Sequence, residues 1–400
     1  MTQAPRAPLS GVRVLDFTQV EFGPIATQTL ADFGADVIKV ERPGHGDIIR
    51  HIDGFASGID DSAYFLSLNR NKRSVAIDLK NPEGVALIRR LLPGVDVVVE
   101  NFRPGVMERF GLGYDELHEQ YPHLVYASGT GFGRNGPLAH RGGQDMLAQA
   151  MSGVADHARD EDGRPRLHPI SFADFGAGMA LVQGVLLALL NRKDTGVGQR
   201  VEVNLLDTML FAQLQELTQW TLRREETNFE RQNLAGIFPT KDGWVAVVGL
   251  FRPQPLRDIC AALEIDDLTV DPEFIDLKTQ LANRARLWPL LDDAFSRFST
   301  GDVLQRLDAH DVLCAPVLDY DAVLADEQVR HNDSVVTVAH PTLGDIAVVR
   351  SPVRLSDTDT GAHSMRPPPL LGQDTDDVLT SAFALTADEL AELRTQRVIG

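Results

Sequence analysis

Short aliphatic runs alternate with stretches of helical periodicity through the first half of the chain. Residues 12–17 (Val-Arg-Val-Leu-Asp-Phe) suit a short buried strand, and Gly23-Pro24 opens a helical stretch over 25–33 that stops at Gly34. Residues 35–41 predict a second strand and 75–79 a third. Pro82 then opens a helix through Leu92, and 95–100 and 124–128 supply two more strands. Strands alternating with helices in this way predict a parallel sheet covered on both faces, with ligands bound at the carboxyl ends of its strands.

The longest apolar stretch, 179–190, is interrupted by Gln183 and Gly184. A turn cluster at 192–199 leads into a strand over 200–204 and a long helix from Leu205, and 228–233 resembles linker. A strand at 244–248 with helical segments at 255–263, 280–298 and 301–310 describes a smaller unit. Beyond about Val335 come a strand at 346–349 and the run Arg366-Pro-Pro-Pro-Leu. The expectation is an α/β chain with a large domain over 1–225, a smaller α/β domain inserted at 226–333, and a return to the large domain over 334–400.

Charge narrows the partners. With 57 acidic and 38 basic residues the formal net charge is −19, which argues against nucleic acid or an anionic membrane, so a polyanionic ligand must meet a local basic cluster. Cys260 and Cys314 have no neighbours at metal-ligand spacing, so neither a disulfide framework nor a metal site is expected. The opening Met1-Thr-Gln-Ala-Pro-Arg-Ala-Pro lacks a signal-type apolar core, and the 179–190 stretch is shorter than the ~20 residues a bilayer requires. A soluble, cytoplasmic protein is expected.

The candidate chemistry centres on Asp174, just ahead of the apolar stretch in Phe-Ala-Asp-Phe-Gly-Ala-Gly. A carboxylate at the mouth of a buried helix faces free backbone N–H groups and the positive end of the helix dipole, which hold it ionised with little water and make it nucleophilic. Its plainer role is an N-cap contributing about 0.5–2 kcal/mol. Basic residues gather in loops after the predicted strands: Arg42, the cluster Arg70-Asn-Lys72-Arg73, Lys80, Arg103 and Arg109. In an otherwise acidic chain such a set suits phosphates.

Other motifs carry less. Gly131-Phe-Gly-Arg-Asn-Gly136 spells the dinucleotide pattern, but Pro137 and polar residues follow where a helix is required, so neither nicotinamide nor flavin is expected. Asp174-Phe-Gly matches the kinase magnesium motif in letters alone, and no G-x-S-x-G elbow is present. His45, His51, His140 and His168 stand isolated, as surface or structural residues do.

Taken in order, Pro8-Leu-Ser-Gly-Val-Arg-Val-Leu-Asp16, Gly34-Ala-Asp-Val-Ile-Lys-Val-Glu-Arg42-Pro-Gly-His-Gly46-Asp, Asn71-Lys-Arg73, Ile77-Asp-Leu-Lys80, Val99-Glu-Asn101-Phe102, Gln144-Asp145, Asp174-Phe-Gly-Ala-Gly178, Thr195-Gly-Val-Gly-Gln199, Phe238-Pro-Thr-Lys-Asp-Gly-Trp244 and Leu371-Gly-Gln-Asp-Thr375 resemble the class III CoA-transferases, a family that also holds the α-methylacyl-CoA racemases. The resemblance spans nearly the whole chain. It implies a Rossmann-like large domain, a homodimer of interlocked chains, and acyl-CoA with a carboxylic acid as substrates, without metal, nicotinamide or flavin. It also implies that Asp174 is acylated by the CoA donor, supported by Gln144, Asp145 and Gly176. Val20, Glu21, Arg42, Arg73, Ile77, Asp78, Leu79, Lys80, Asn101, Phe102, Arg103 and Arg109 fall where such enzymes hold CoA.

The chemistry so implied is covalent transfer through an aspartyl anhydride and an aspartyl-CoA thioester, with the N–H groups of residues 175–178 as candidate oxyanion donors. Racemases of the family carry a His directly before the aspartate that matches Asp145. Here that position is Gln144, whose amide is no base, so transfer is expected over α-proton exchange. Many oxalate-type members place a glycine-rich flap after the strand matching 244–249, whereas this chain continues Leu250-Phe-Arg252-Pro-Gln-Pro255. A larger or more apolar acid than oxalate or formate is therefore expected, with Arg252 either pairing with its carboxylate or solvated.

Overall fold

The computed structural model describes residues 7–52, 61–160, 162–229, 231–358 and 365–400. Residues 1–6, on which most of the signal-peptide argument rests, and Glu230 of the 228–233 segment lie outside them.

Six parallel strands, β1 (Arg13–Asp16), β2 (Asp36–Glu41), β3 (Arg73–Ala76), β4 (Val97–Glu100), β5 (Val125–Thr130) and β6 (Arg200–Asn204), form one sheet in the order β3-β2-β1-β4-β5-β6. A parallel sheet is buried on both faces, which is why β1, β2 and β4 are rich in aliphatic residues, whereas the edge strand β6 (Arg-Val-Glu-Val-Asn) buries only Val201. Leu15, Ile38, Val75, Val98 and Tyr126 enter one core, and Val14, Val37, Val97, Val125 and Ala127 the other. Strand order reverses between β1 and β4, so the loops leaving their carboxyl ends part and open a crevice.

The apolar stretch at 179–190 is the centre of a longer helix, Phe172–Thr195, of 24 residues. Gly176 and Gly178 are helix breakers by propensity, yet packing requires them here. A Cβ on Gly178 would stand 2.7 Å from Ile25 Cγ2 and 3.0 Å from the Phe22 carbonyl oxygen, so glycine lets this helix lie directly against the helix Phe22–Asp32. By length and composition Phe172–Thr195 is long and apolar enough to cross a bilayer, contrary to the sequence expectation. In this fold Ala173, Ala177, Leu181, Val185 and Ala188 enter the second core, while Phe172, Phe175, Leu186, Leu187 and Leu190 are exposed.

Two expected helices are divided. The one from Leu205 breaks at Gln213 into Leu205–Ala212 and Leu214–Arg223, and 280–298 breaks at Asn283 into Leu277–Ala282 and Arg284–Phe295. At each break an amide side chain donates to the carbonyl four residues earlier, Gln213 to Met209 at 2.8 Å and Asn283 to Thr279 at 3.0 Å, in competition with the helical ladder.

Spatial proximity groups Met1–Gln213 with Arg330–Gly400 in one unit and Leu214–Val329 in another. The second unit holds an antiparallel sheet, β7 (Ala235–Pro239), β8 (Trp244–Val248) and β9 (Leu313–Pro316), over a core that includes Phe238, Leu287, Phe295 and Leu307. In the first unit β10 (Val335–His340) and β11 (Gly344–Val349) form a hairpin, and the chain then returns to β3. Ala76 N donates to Thr375 Oγ1 (3.1 Å), Asp78 N to Val398 O (2.9 Å) and Gly400 N to Ala76 O (3.1 Å), which covers the sheet edge.

Replacing Gly178 by valine should force the two helices apart and cost about 1–3 kcal/mol, the usual penalty of overpacking. Urea denaturation measures it, and a midpoint equal to the parent's would show that the close approach matters little.

Candidate active site

The crevice rests on buried charge. Asp16, the last residue of β1, accepts hydrogen bonds from Thr18 N (2.9 Å), Thr18 Oγ1 (2.5 Å) and Thr27 Oγ1 (2.7 Å), and Lys72 Nζ lies 3.1 Å away. Lys39 Nζ donates to Thr18 O (2.7 Å) and pairs with Asp47 (2.9 Å). Burial opposes ionisation of Asp16, but Lys72, Lys39 and the two threonine hydroxyls together hold its carboxyl below the usual range. Burial takes Lys72 down to about 8 despite Asp16 beside it. Asp47 also accepts from Val20 N (3.1 Å), while Asn101 accepts from Gln19 N and donates to Gln19 O, each at 2.8 Å. These contacts hold Val20 at φ +68°, a region in which a β-branched residue is strained.

Above this loop lies a cleft of about 860 Å³, lined by residues 19–22, 101–104, 129–131 and 140–144 with Leu147, Asp174 and Leu205. A smaller hollow of about 230 Å³ shares Gln19 and Phe102 with it and is bounded by Phe17, Arg42, residues 77–80 and Phe110. Both stand at carboxyl ends of the parallel strands.

Asp174 is the third residue of its helix, not the cap. Ser171 at the N-cap makes no capping bond with its side chain. Asp145 does that work from another helix, Asp145–Met151: its Oδ1 accepts from Ala173 N (2.7 Å) and Asp174 N (3.4 Å), while Oδ2 takes Gln149 Nε2 (2.6 Å). Phe175 N is bonded to Ser171 O (2.9 Å), and the N–H groups of 176–178 point into the helical ladder. The helix end therefore has no donors left to stabilise an ionised Asp174, and residues 175–178 cannot serve an oxyanion. Burial, then the charges of Glu21 and Asp145, push the Asp174 carboxyl up to about 7. Burial and Asp145 likewise raise Glu21, against the Ser171 hydroxyl. Asp174 is thus close to half ionised at neutrality, the condition in which a carboxyl group both attacks and exchanges protons.

The expected residues divide. Val20, Glu21, Asn101, Phe102, Arg103, Gln144 and Asp174 line the cleft, and Arg42, Ile77, Asp78, Leu79 and Lys80 line the adjoining hollow with Phe102. Asp145 acts from behind the wall. Arg73 lies outside both cavities, bonded to Asp36 (2.6 Å) and near Asp377 (3.4 Å). Its neighbours in the 70–73 cluster are also structural, Arg70 pairing with Asp32 (2.6 Å) and Lys72 with Asp16. Arg109 is exposed beyond both cavities, and Gly176 serves packing, since a Cβ there would meet Thr208 Cγ2 at 2.9 Å. Arg252 is held by Asp258 (2.9 Å) and Asp311 (2.7 Å), so it is neither free nor merely solvated.

Sequence reasoning missed Gln19, His140, Arg141, Gly142, Gly143, Leu147 and Leu205 in the cleft wall. The usable signal was His-Arg-Gly-Gly immediately before Gln144-Asp145, in a loop that leaves the carboxyl end of β5. The two ends of this loop meet at bare backbone: a Cβ on Gly131 would lie 2.3 Å from Gly143 Cα. Arg42, Lys80, Arg103 and Arg141 line the two cavities without a carboxylate partner among the described residues, whereas Arg50, Arg70, Arg73 and Arg134 are all paired.

Asp145→Asn should lower the apparent pKa of Asp174 while burial keeps it above that of an ordinary aspartate. Carbon-13 titration of the Asp174 carboxyl reads this, and an unmoved value would assign the whole shift to burial and Glu21.

The model of CoA-transferase family III matches residues 9–375. The chain is 35% identical over 397 residues to the succinyl-CoA:glutarate CoA-transferase of Mus musculus, covering 98% of this chain and 90% of that one. It is also 35% identical to the succinyl-CoA–D-citramalate CoA-transferase of Chloroflexus aurantiacus, with 100% of each chain covered. A solved CaiB/BaiF family protein from Brucella suis superposes with a TM-score of 0.85 at 30% identity, over 94% of this chain and 100% of that one. On the match over nearly its whole length, this chain belongs to CoA-transferase family III and is an enzyme of that class.

Proposed function

We propose that the enzyme moves CoA from an acyl-CoA to a free carboxylic acid with Asp174 as the covalent carrier. The observation that carries this reading is Asp174 lining a large cleft that shares Gln19 and Phe102 with a hollow edged by the unpaired cations Arg42 and Lys80. The adenine end of CoA occupies the hollow among Phe17, Ile77, Leu79 and Phe110, Arg42, Lys80 and Arg103 take its phosphates, and the pantetheine arm passes Gln19 and Phe102 towards Asp174.

In this sequence the Asp174 carboxylate attacks the thioester carbonyl, and the collapsing tetrahedral intermediate expels the CoA thiolate and leaves a mixed anhydride. The thiolate attacks the aspartyl carbonyl, releases the donor acid and forms an aspartyl-CoA thioester. The acceptor carboxylate attacks that carbonyl and expels the thiolate again. Attack of the thiolate on the acceptor carbonyl yields the new acyl-CoA and frees Asp174. The oxyanions need donors outside the occupied helix end, and the backbone of Gly142 and Gly143 in the cleft wall takes that role. Gln144 stands in the same wall and offers no base for α-proton removal.

The working form in this reading is an interlocked homodimer. The exposed apolar side chains of Phe172–Thr195, together with Met146, Leu147 and Met151, make more apolar surface than a monomer ordinarily leaves in water, and a second copy covers it. Light scattering should give twice the chain mass of 43.9 kDa. A monomer at micromolar concentration would contradict this.

Asp174→Ala should lower turnover more than about a thousandfold and leave CoA affinity nearly unchanged. Hydroxylamine added with an acyl-CoA should yield a hydroxamate on Asp174 in the parent, seen by peptide mass, and none in the variant. Near-normal CoA exchange by the variant would refute the carrier role. Because only the ionised carboxyl attacks, the rate should fall as pH drops through about 7 and level off above it.

A further inference from the structure

Resting on the transferase reading above, we infer that the acceptor is a dicarboxylic acid whose second carboxylate is held by Arg141, with His140 beside it. Acidic residues outnumber basic ones by 57 to 38, and many arginines of the first unit, such as Arg50, Arg70 and Arg73, are paired with carboxylates. Arg141 has no such partner among the described residues, yet it lines the same cleft as Asp174. A guanidinium at such a place awaits an anion that arrives with the ligand, and its planar fork matches a carboxylate.

Position separates Arg141 from Arg42 and Lys80, which edge the smaller hollow, whereas Arg103 lines the cleft itself, against Gly142. Arg141 lies four residues before Asp145, at most about 14 Å of extended chain. Asp145 in turn contacts the Asp174 backbone at 3.4 Å. Arg141 thus shares the cleft with Asp174. By the time the acceptor enters, Asp174 is an uncharged thioester, but Glu21 in the wall and Asp145 behind it still repel a doubly charged acid that arrives without a counter-ion. Arg141 supplies the counter-ion in the same cleft, while Phe22, Leu147 and Leu205 offer apolar surface for a methylene spacer. One carboxylate of the acceptor attacks the aspartyl-CoA thioester, and the other stays ionised on Arg141 and takes no part in bond making. Of the two roles the sequence left open for Arg252, pairing with the acid thus passes to a different arginine.

The test compares succinate, glutarate and adipate with butyrate, valerate and hexanoate as acceptors, using one acyl-CoA donor throughout. The parent should prefer each diacid to the monoacid of equal length. In Arg141→Gln the ratio of the two kcat/KM values should fall roughly 10–150-fold, the loss of a charge-assisted hydrogen bond. Arg141→Lys should restore part of it, and KM for the donor should stay put in both variants. A parent without diacid preference overturns the proposal, as does a ratio unchanged in Arg141→Gln. A rise in donor KM at constant ratio would assign Arg141 to the CoA phosphates, which also overturns it. Hydroxylamine trapping with donor alone separates the two readings. A labelled Asp174 with an unchanged ratio removes only the role of Arg141, whereas no label in the parent removes the carrier itself.

Discussion

Two lysines enclosed with two aspartates at the carboxyl ends of β1 and β2 hold the active-site crevice in shape. Removing an ion from water costs several kcal/mol, so Asp16, Lys39, Asp47 and Lys72 persist only because each is paired and hydrogen-bonded. Four of their remaining bonds reach one stretch of backbone, Thr18 N and O, Val20 N and Pro24 O, while others go to Ile49 N, Asn69 and the hydroxyls of Thr18 and Thr27. The cluster thereby fixes the loop that enters the helix Phe22–Asp32. That helix receives the bare backbone of Gly178, which seats the helix bearing Asp174. An apolar cluster of equal volume could match its stability, but it would let go of the loop.

The same economy of donors explains why Asp174 is reactive. A helix end offers four free N–H groups, and in this chain Asp145 and the local turn take those nearest the nucleophile. Asp174 is thus denied the stabilisation that an N-cap carboxylate enjoys, and it sits within the fields of Glu21 and Asp145. Its ionised form is raised in energy at the position where bond formation would relieve it. The acidic interior also gives the unpaired arginines their meaning, since in a chain so rich in carboxylates they are left for anions from outside.

Legibility in the sequence followed range. Most of the parallel strands were evident because they contain local aliphatic runs, such as Val97–Val99, and Asp174 stood out by its place before an apolar stretch. Arg73 was misassigned because its partner, Asp36, is a strand neighbour 37 residues away, and only the pairing of β2 with β3 brings them together. The start of Phe172–Thr195 was hidden because Gly176 and Gly178 look like breaks until Thr208 and Ile25 are seen against them. The ionisation of Asp174 was read with the wrong sign for a related reason, since nothing local announces that Asp145 has already occupied the helix end. Arg141 was overlooked because it lies eleven residues past Thr130, the end of β5, and only the folding back of that loop brings it into the cleft wall.

The meeting of Gly131 and Gly143 has an evolutionary corollary. Neither position can acquire even a methyl group unless the opposite strand of chain withdraws, so the course of this loop is locked by mutual exclusion. The side chains it displays, at His140, Arg141 and Gln144, are under no such restraint. Divergence towards new acids would then proceed by exchanging what hangs from a constant spine, through single substitutions that leave the covalent machinery beneath untouched.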